Sequence, residues 1–216
     1  MKVRHHHTAS DRQAALAQYR RRAAAYDLEL LAFEPIRRQA IARLAPGRGA
    51  TVLDLGCGTG LSFEGLEQAI GAKGRIVGIE QSREMIEQAR RRVERHGWTN
   101  VTLQCAPVAV ARIPARADAA LFLFTHDILR EPMALDAVGA HLRAGAHVVA
   151  AGLMWAPLWA WPVNLAVLAA ALHSVSSLDG LDCPWGVLAG LVGELHVERL
   201  LSGSVYIASG VAGASS

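Results

Sequence analysis

Short runs rich in apolar residues alternate along this chain with longer stretches in which apolar residues recur every three or four positions. The runs have the length of strands, and the longer stretches have the period of helices. The predicted strands are Thr51–Leu55, Ile76–Ile79, Val101–Cys105, Ala119–Phe124 and Ala146–Ala151. Because helices separate these strands, the pattern predicts a doubly wound α/β sheet.

Helix signals mark the stretches between the strands. A crossover helix is predicted over Leu61–Ile70. Ser82 is the predicted N-cap of a second helix, which ends at His96-Gly97, and Pro132 is predicted to begin a third. The segment Leu142-Arg143-Ala144-Gly145 is predicted to turn into the fifth strand.

The two ends of the chain differ from its middle. Residues 10–45 predict two helices, the second beginning near Pro35 with an apolar stripe formed by Ile36, Ala40, Ile41 and Leu44. At the other end, His196–Leu201 and Ser204–Ser209 flank Ser202-Gly203 and predict an antiparallel hairpin.

The length of 216 residues, with 52% hydrophobic and 19% charged residues, fits one globular domain with a sizeable core. We expect a flexible N-terminus over residues 1–9 and a single domain over 10–210. Within it, residues 10–46 are an expected N-terminal helical cap and residues 153–190 an apolar insertion.

Most of the insertion lies in a stretch, Val148–Leu178, that lacks Asp, Glu, Lys and Arg. Glycine, proline, Asn164 and His173 interrupt this stretch, so it does not predict a membrane span. A short apolar helix is expected around Val163–Leu172. It fits ordinary core packing, a lid over an apolar substrate or a helix at a membrane surface, so peripheral membrane contact stays open.

Charge and cysteine content exclude some classes of protein. The net charge is only +3, and the basic excess lies in the first 50 residues. Arg20-Arg21-Arg22 is either a solvated helix face or a contact for an acidic substrate, a lipid headgroup or nucleic acid. No signature of nucleic-acid binding supports the last reading. The three cysteines lack metal-ligand spacing, so we predict no metal site, and with no apolar signal core we expect a cytoplasmic protein.

The candidate chemistry lies in the segment Val52–Gly60, where an apolar strand runs through Asp54 into three glycines at alternate positions. Glu80 follows at the end of the next apolar run. This pattern indicates a nucleotide-type cofactor at the carboxyl edge of a parallel sheet. A turn that binds no ligand is the alternative.

Two details select the cofactor. A hydride-cofactor fingerprint needs a third glycine at position 61, which is Leu61 here, and Asp54 would repel a diphosphate. S-adenosylmethionine carries an ammonium, a sulfonium and a ribose diol but no phosphate. Asp54 is therefore expected near the ammonium, and Glu80 is expected to accept hydrogen bonds from the ribose hydroxyls.

These residues resemble the class I S-adenosylmethionine-dependent methyltransferases. Val52–Gly60 resembles the first motif of that superfamily, Glu80 its ribose-binding acid, Asp118–Phe124 its fourth-strand motif and Leu142–Val149 its following turn and strand. The resemblance implies a Rossmann-like, seven-stranded, mostly parallel sheet with an antiparallel C-terminal hairpin. It also implies S-adenosyl-L-methionine as methyl donor and S-adenosyl-L-homocysteine as product.

Tyr19 and Tyr26-Asp27 resemble the small-molecule group that includes quinone C-methyltransferases and phospholipid N-methyltransferases. One departure is the stretch Gln104–Val108, which lacks the acid that in many relatives binds adenine. Adenine is then expected to contact main-chain groups near Ala106–Val108 or a different side chain. The cofactor-binding residues expected from this comparison are Tyr26, Asp54, Gly56, Cys57, Gly58, Thr59, Gly60, Glu80, Gln81, Met85, Ala106, Pro107, Val108, Phe124 and Thr125.

Catalysis by methyl transfer needs an in-line arrangement of nucleophile, methyl and sulfur more than it needs acid–base strength. His126, after the fourth strand, is the candidate base or acceptor-orienting group, and a helix-capping or core histidine is the alternative. Tyr19 is the second catalytic candidate and, with Tyr26, a candidate lid over the cofactor.

The predicted function is methylation of a small, apolar or aromatic acceptor by a monomer or homodimer, with no nucleic-acid partner. The alternatives are a lipid headgroup N-methyltransferase and a catalytically silent cofactor-binding or partner subunit with the same fold.

Overall fold

A computed structural model describes residues 33–113, 116–157, 160, 164, 167 and 180–213. The chain divides into two units, residues 1–34 and 35–216, and the described residues lie almost wholly in the second. The predicted helix near residue 10, together with Tyr19 and Tyr26, lies outside the described residues.

The described helices and strands follow the order that the sequence predicts, with one additional short helix at His126–Leu129. The helices are α1 (Glu34–Leu44), α2 (Phe63–Ile70), α3 (Arg83–His96), α4 (His126–Leu129) and α5 (Pro132–Gly139). The strands are β1 (Thr51–Leu55), β2 (Arg75–Glu80), β3 (Val101–Cys105), β4 (Ala117–Leu123), β5 (Leu142–Leu153), β6 (Val192–Leu200) and β7 (Val205–Ala212).

The seven strands form one sheet in the order β3-β2-β1-β4-β5-β7-β6. The first five strands are parallel, and β7 runs antiparallel to both β5 and β6. The strand order reverses between β1 and β4, the place at which open α/β sheets bind ligands. This confirms the expected Rossmann-like sheet with its C-terminal hairpin.

Both faces of the sheet are covered. On one face, residues such as Leu53, Phe122 and Ala150 belong to a core cluster that also includes Leu135 and Val138 of α5. The alternate strand residues, such as Val52, are buried as well. The predicted apolar stripe of α1 is buried too: Ile36, Ala40, Ile41 and Leu44. A strand buried on both faces explains why the central strands are nearly continuous apolar runs.

Several predicted boundaries change. The strand predicted at Ala119–Phe124 begins at Ala117 and ends at Leu123, and the helix predicted from Leu61 begins at Phe63. The segment Leu142–Gly145, predicted to turn into the fifth strand, lies within β5, where Leu142 pairs with Ala117. The register then shifts between Ala117 and Ala119, and Gly145 has a φ of 80°, so the backbone is irregular at the segment where the sequence predicts a turn.

Of the predicted apolar insertion over residues 153–190, the structure describes residues 153–157, 160, 164, 167 and 180–190. Most of the helix expected around Val163–Leu172 lies outside the described residues, although Asn164 exchanges two hydrogen bonds with the backbone of Ala156, at 2.8 and 3.0 Å. Within the part of the chain that the structure describes, no helix is both long and apolar enough to cross a membrane.

Candidate functional site

The glycine segment forms a tight turn directly after β1. Gly56, Gly58 and Gly60 have φ angles of 72°, 55° and 78°, in the left-handed region that other residues rarely adopt. The amides of Gly56 and Cys57 both donate to the carbonyl of Ile79, at 2.8 and 3.1 Å. These bonds attach the turn to β2, so the sheet fixes the position of the turn.

Two of the three glycines are also required by crowding. A Cβ at Gly56 would lie 2.3 Å from Thr125 Cγ2, and one at Gly60 would lie 2.5 Å from the ring of Phe63. At Gly58 the nearest atom is Met85 Sδ, at 3.7 Å. The turn is therefore pressed against the segment after β4 and against α2, and is more open beside Met85.

Asp54 lies near the end of β1 and is only 1% exposed. Burial raises the pKa of this carboxyl group to about 6, and the charge of Glu80 adds to that effect. The Ser62 hydroxyl, which donates to Asp54 Oδ2, and the guanidinium of Arg37 act in the opposite direction. Arg37, on α1, is itself only 4% exposed. The site thus contains a buried carboxyl group with a positive charge near it.

Glu80 ends β2 as a partly buried residue whose two oxygens are held by backbone amides. Its Oε2 accepts from the Gly58 amide at 3.2 Å, and its Oε1 accepts from the Ser82 amide at 2.8 Å. Each carboxylate oxygen has a further lone pair, so both oxygens can still accept from a ligand. Ser82 also caps α3 as predicted, since its Oγ accepts from the Met85 amide at 3.3 Å.

The segment after β4 faces the turn from the other side. Phe124 has a φ of 57°, an unusual value for a residue other than glycine, and its amide donates to Ala151 at 2.7 Å. The Oγ1 atom of Thr125 is buried and has no hydrogen-bond partner in the described part of the chain. His126, the first residue of α4, is 6% exposed. Strain and an unsatisfied hydroxyl at one place are typical of ligand sites.

The segment after β3, which the sequence predicts to bind adenine, has few free backbone amides. The Ala106 amide donates to the carbonyl of Glu80 at 3.1 Å, and Pro107 has no amide hydrogen. Val108, which is buried, begins a short 3₁₀ turn, and the first amides of a helical turn have no partner within it. Gln81 is exposed, and its carbonyl lies 3.7 Å from Cys105 Sγ.

The remaining predicted residues pack behind the turn. Cys57 is buried, and burial together with the negative charges of Asp54 and Glu80 raises the pKa of its thiol well above the ordinary value. Thr59 is 2% exposed, and its carbonyl accepts from Arg92 Nε at 3.0 Å. The Cys57 thiol and the Thr59 hydroxyl are therefore not placed to act as nucleophiles, and both residues stabilise the turn.

The structure brings together the predicted residues at the ends of β1, β2 and β4. Three residues at this site escaped the sequence analysis: Arg37, Ser62 and Arg92. A signal existed for Arg37, which is a charged residue beside the apolar stripe of α1. Ser62 contacts Asp54 across the glycine turn and Arg92 contacts Thr59 from α3, and neither contact follows from a local sequence pattern. Among the residues that the structure describes, no cluster of His, Cys, Asp and Glu could hold a metal ion.

Comparison with known proteins gives the site a context. Residues 52–145 match the family model described as a methyltransferase domain. The chain is 32% identical over 111 residues to aklanonic acid methyltransferase DauC of a Streptomyces species, a match that covers 51% of this chain and 49% of that relative. The chain thus spans about half the length of this relative, and less of the other curated methyltransferases that it resembles.

Solved structures share the whole fold. A SAM-dependent methyltransferase from Aquifex aeolicus superposes with a TM-score of 0.60 at 19% identity, covering 91% of this chain and 98% of that one. N-methyltransferase NodS from Bradyrhizobium japonicum, in complex with S-adenosyl-L-homocysteine, superposes with a TM-score of 0.59 at 16% identity, covering 83% and 87%. At these identities the likeness concerns the fold.

Proposed function

We propose that the chain is an S-adenosylmethionine-dependent methyltransferase acting on a small, apolar or aromatic acceptor. Residues 52–145 match the methyltransferase domain model, and the sheet has the fold of solved methyltransferases. One observation carries the proposal. Two carboxyl groups, Asp54 and Glu80, flank a three-glycine turn at the point where the strand order reverses.

The charges of the site fit this cofactor better than a phosphate-bearing one. Asp54 and Glu80 are both acidic, and Asp54 is buried, so a diphosphate beside the turn would be repelled. S-adenosylmethionine carries an ammonium and a sulfonium, which these carboxylates attract. In this proposal Asp54 faces the ammonium, and the free lone pairs of Glu80 accept the ribose hydroxyls.

Adenine binding is the part of the proposal that departs most from other methyltransferases. The Ala106 amide is already bonded and Pro107 has none, so the donor in the Ala106–Val108 stretch is the amide of Val108. Met85, beside Gly58, offers a thioether to the flat face of the base. Recognition here depends on backbone and apolar contact instead of a carboxylate.

The cofactor, when bound, supplies an electrophilic methyl group, and this chain's residues orient the acceptor. His126 is the residue we assign to hold or remove a proton at the acceptor atom, because it directly follows β4 at the ligand edge of the sheet and its imidazole can donate or accept a proton. The name of the relative DauC, aklanonic acid methyltransferase, supports a small-molecule acceptor.

Calorimetric titration with S-adenosylmethionine and with S-adenosylhomocysteine tests the cofactor site, with NADH as the negative ligand. We expect binding in the micromolar range, weakened about ten- to a hundredfold in Glu80→Gln, because hydrogen bonds to a charged carboxylate are lost. The matched control is Glu94→Gln, an exposed acid on α3. Absence of binding to the folded wild type, or equal loss in both variants, contradicts the assignment.

A second assay tests turnover. Formation of S-adenosylhomocysteine is followed with apolar phenols, quinols and amines as acceptors, in wild type and in His126→Gln. We expect product with at least one acceptor class, and a fall in the maximal rate of about a hundredfold in the variant, the usual contribution of one acid–base group. Tight binding without product from any acceptor supports the silent partner subunit instead.

A further inference from the structure

A polar cleft lies at the edge of the sheet opposite the candidate cofactor site. It has a volume of about 560 Å³. Its lining residues come from the loops that lead into the first three strands and from the strand starts: Thr51, Ala72, Lys73, Gly74, Arg75, Thr99, Asn100 and Thr102. Thr51 and Arg75 are the first residues of β1 and β2, so the cleft marks the amino edge of the sheet. Its volume lies in the range of small-molecule sites.

The lining carries two positive charges and no acidic residue. Lys73 and Arg75 are both exposed, and neither forms a salt bridge with any residue that the structure describes. Two like charges at one cleft repel each other, and an anion bound between them removes that repulsion. The hydroxyl groups of Thr51, Thr99 and Thr102 add hydrogen-bond donors to the same cleft.

An acidic residue at the same edge of the sheet is already paired with other groups. Asp118, in β4, accepts from the Thr51 amide at 2.8 Å, and Arg143 donates to its other oxygen. Its charge is therefore already compensated. Arg48 lies nearby, since its guanidinium donates to the Gln68 carbonyl at 3.2 Å and would be 3.0 Å from a Cβ at Gly71. The surroundings of the cleft are thus basic as well.

The backbone of the cleft is held in place by hydrogen bonds. The Asn100 side chain donates to the Gly74 carbonyl at 3.0 Å. The amides of Arg75 and Ile76 donate to Ala50 and Asn100, at 2.9 and 3.0 Å. These bonds join the loops before β1, β2 and β3, so the positions from which Lys73 and Arg75 extend are fixed by the sheet.

We propose that this cleft binds a compact phosphate-bearing anion, of the size of pyrophosphate or a small phosphate ester. Lysine binds phosphate oxygens as a point charge, arginine binds them through paired N–H groups, and hydroxyl groups complete the shell. The lining has one methyl side chain, Ala72, and no aromatic ring, so it offers no surface on which a nucleobase could stack. The ligand binds at the edge opposite the glycine turn, and both sites can be filled together.

Calorimetric titration of the full chain with sodium pyrophosphate tests the proposal. We expect saturable binding with one ligand per chain, weakened at least about tenfold in the double variant Lys73→Gln/Arg75→Gln, because two ionic contacts are lost. The matched control is Arg90→Gln/Arg91→Gln, which removes the same charge from two exposed arginines that pair with Glu87 on α3. The control is expected to bind within about twofold of wild type.

Three results would overturn the proposal: no binding to the folded wild type, an equal loss in the two double variants, or equal affinity for citrate. Equal loss would mean that only net charge matters, and equal citrate affinity would mean that phosphate is not recognised. A fourth arm uses a labelled RNA oligonucleotide. If RNA binds more tightly than pyrophosphate and this RNA binding is lost in Lys73→Gln/Arg75→Gln, the cleft is a nucleic-acid surface and the small-anion assignment is wrong.

Discussion

The two edges of the sheet carry opposite charges. At the carboxyl edge, Asp54 and Glu80 lie beside the glycine turn, and two backbone amides hold Glu80 in place. At the amino edge, Lys73 and Arg75 line a cleft without acidic residues. One sheet thus separates a site suited to a cationic cofactor from a site suited to an anion, and each ligand would be repelled at the opposite edge.

Two aspartates show what the difference between the edges does to one type of side chain. Asp54, near the end of β1, is 1% exposed, and burial raises the pKa of its carboxyl to about 6. Asp118, near the start of β4, is more exposed, and although partial burial acts against the charge, the Thr51 amide and Arg143 lower its pKa below the ordinary value. Environment, not residue type, therefore decides which carboxyl group titrates near neutrality.

The largest effect is expected from two glycines at opposite ends of β1. Gly56→Ala places a Cβ 2.3 Å from Thr125 Cγ2 at a φ of 72°, whereas Gly49→Ala, at a φ of 81°, meets nothing within 4 Å. We expect Gly49→Ala to lower the free energy of unfolding by about 1–2 kcal/mol, the strain of a left-handed residue. Gly56→Ala adds a clash and should cost about 3 kcal/mol or more.

Urea unfolding of both variants measures this pair, and titration with S-adenosylhomocysteine completes the comparison. Gly49→Ala is expected to keep wild-type affinity, because it lies at the amino edge. Gly56→Ala should lose cofactor binding even under conditions in which circular dichroism shows it folded. Equal destabilisation of the two variants would mean that the turn can shift away from Thr125, and the packing argument would fail.

The second effect is the pH dependence of Asp54. Between its ordinary pKa of 3.8 and about 6, the folded chain keeps a proton that the unfolded chain has released. As the pH rises across this window, the free energy of unfolding therefore falls by about 1.4 kcal/mol for each pH unit. Above the window it no longer changes with pH. Cofactor affinity has the opposite trend, since only the ionised carboxylate attracts the ammonium, and should rise about tenfold from pH 5 to pH 7.

Asp54→Asn and Asp118→Asn separate this effect from other titrations. Asp54→Asn is expected to bind S-adenosylmethionine weakly at both pH values, with little change between them. Asp118→Asn should retain the wild-type rise, because the lowered pKa of Asp118 places its titration below the window. If cofactor affinity still rises from pH 5 to pH 7 in Asp54→Asn as it does in the wild type, the rise is due to the titration of another group.

The sequence predicted the carboxyl edge far better than the amino edge, for a physical reason. The glycine turn needs particular backbone angles within a few residues, so Gly56, Gly58 and Gly60 leave a local pattern. The cleft gathers residues from three separate loops, and Lys73 or Thr99 alone has no distinctive neighbours in the sequence. The start of β5 was also hard to predict, since the glycine-containing segment Leu142–Gly145 belongs to this strand through the pairing of Leu142 with Ala117.

The third effect concerns the unsatisfied hydroxyl of Thr125. Thr125→Val keeps the shape of the side chain and removes a buried polar atom that has no partner in the described chain. We expect the ligand-free protein to gain up to about 1 kcal/mol of unfolding free energy, because burying an unpaired hydroxyl is unfavourable. The same variant should bind S-adenosylmethionine more weakly if the hydroxyl contacts it. Loss of stability in thermal unfolding would instead indicate a partner for this hydroxyl in the free protein.

The smallest effect is expected at the amino edge, from the exposed pair of Arg143 and Asp118. Arg143→Gln should lower the free energy of unfolding by no more than about 0.5 kcal/mol, because water and salt screen an exposed ion pair. Arg43→Gln, which breaks a similar exposed pair with Glu198, is the matched control and should lose about as much. Thermal unfolding in low and high salt measures both variants. Arg143→Gln should bind pyrophosphate more weakly than Arg43→Gln, because only Arg143→Gln leaves the negative charge of Asp118 less compensated near the cleft. Equal pyrophosphate affinities in the two variants would mean that the pair of Arg143 and Asp118 does not influence the anion site.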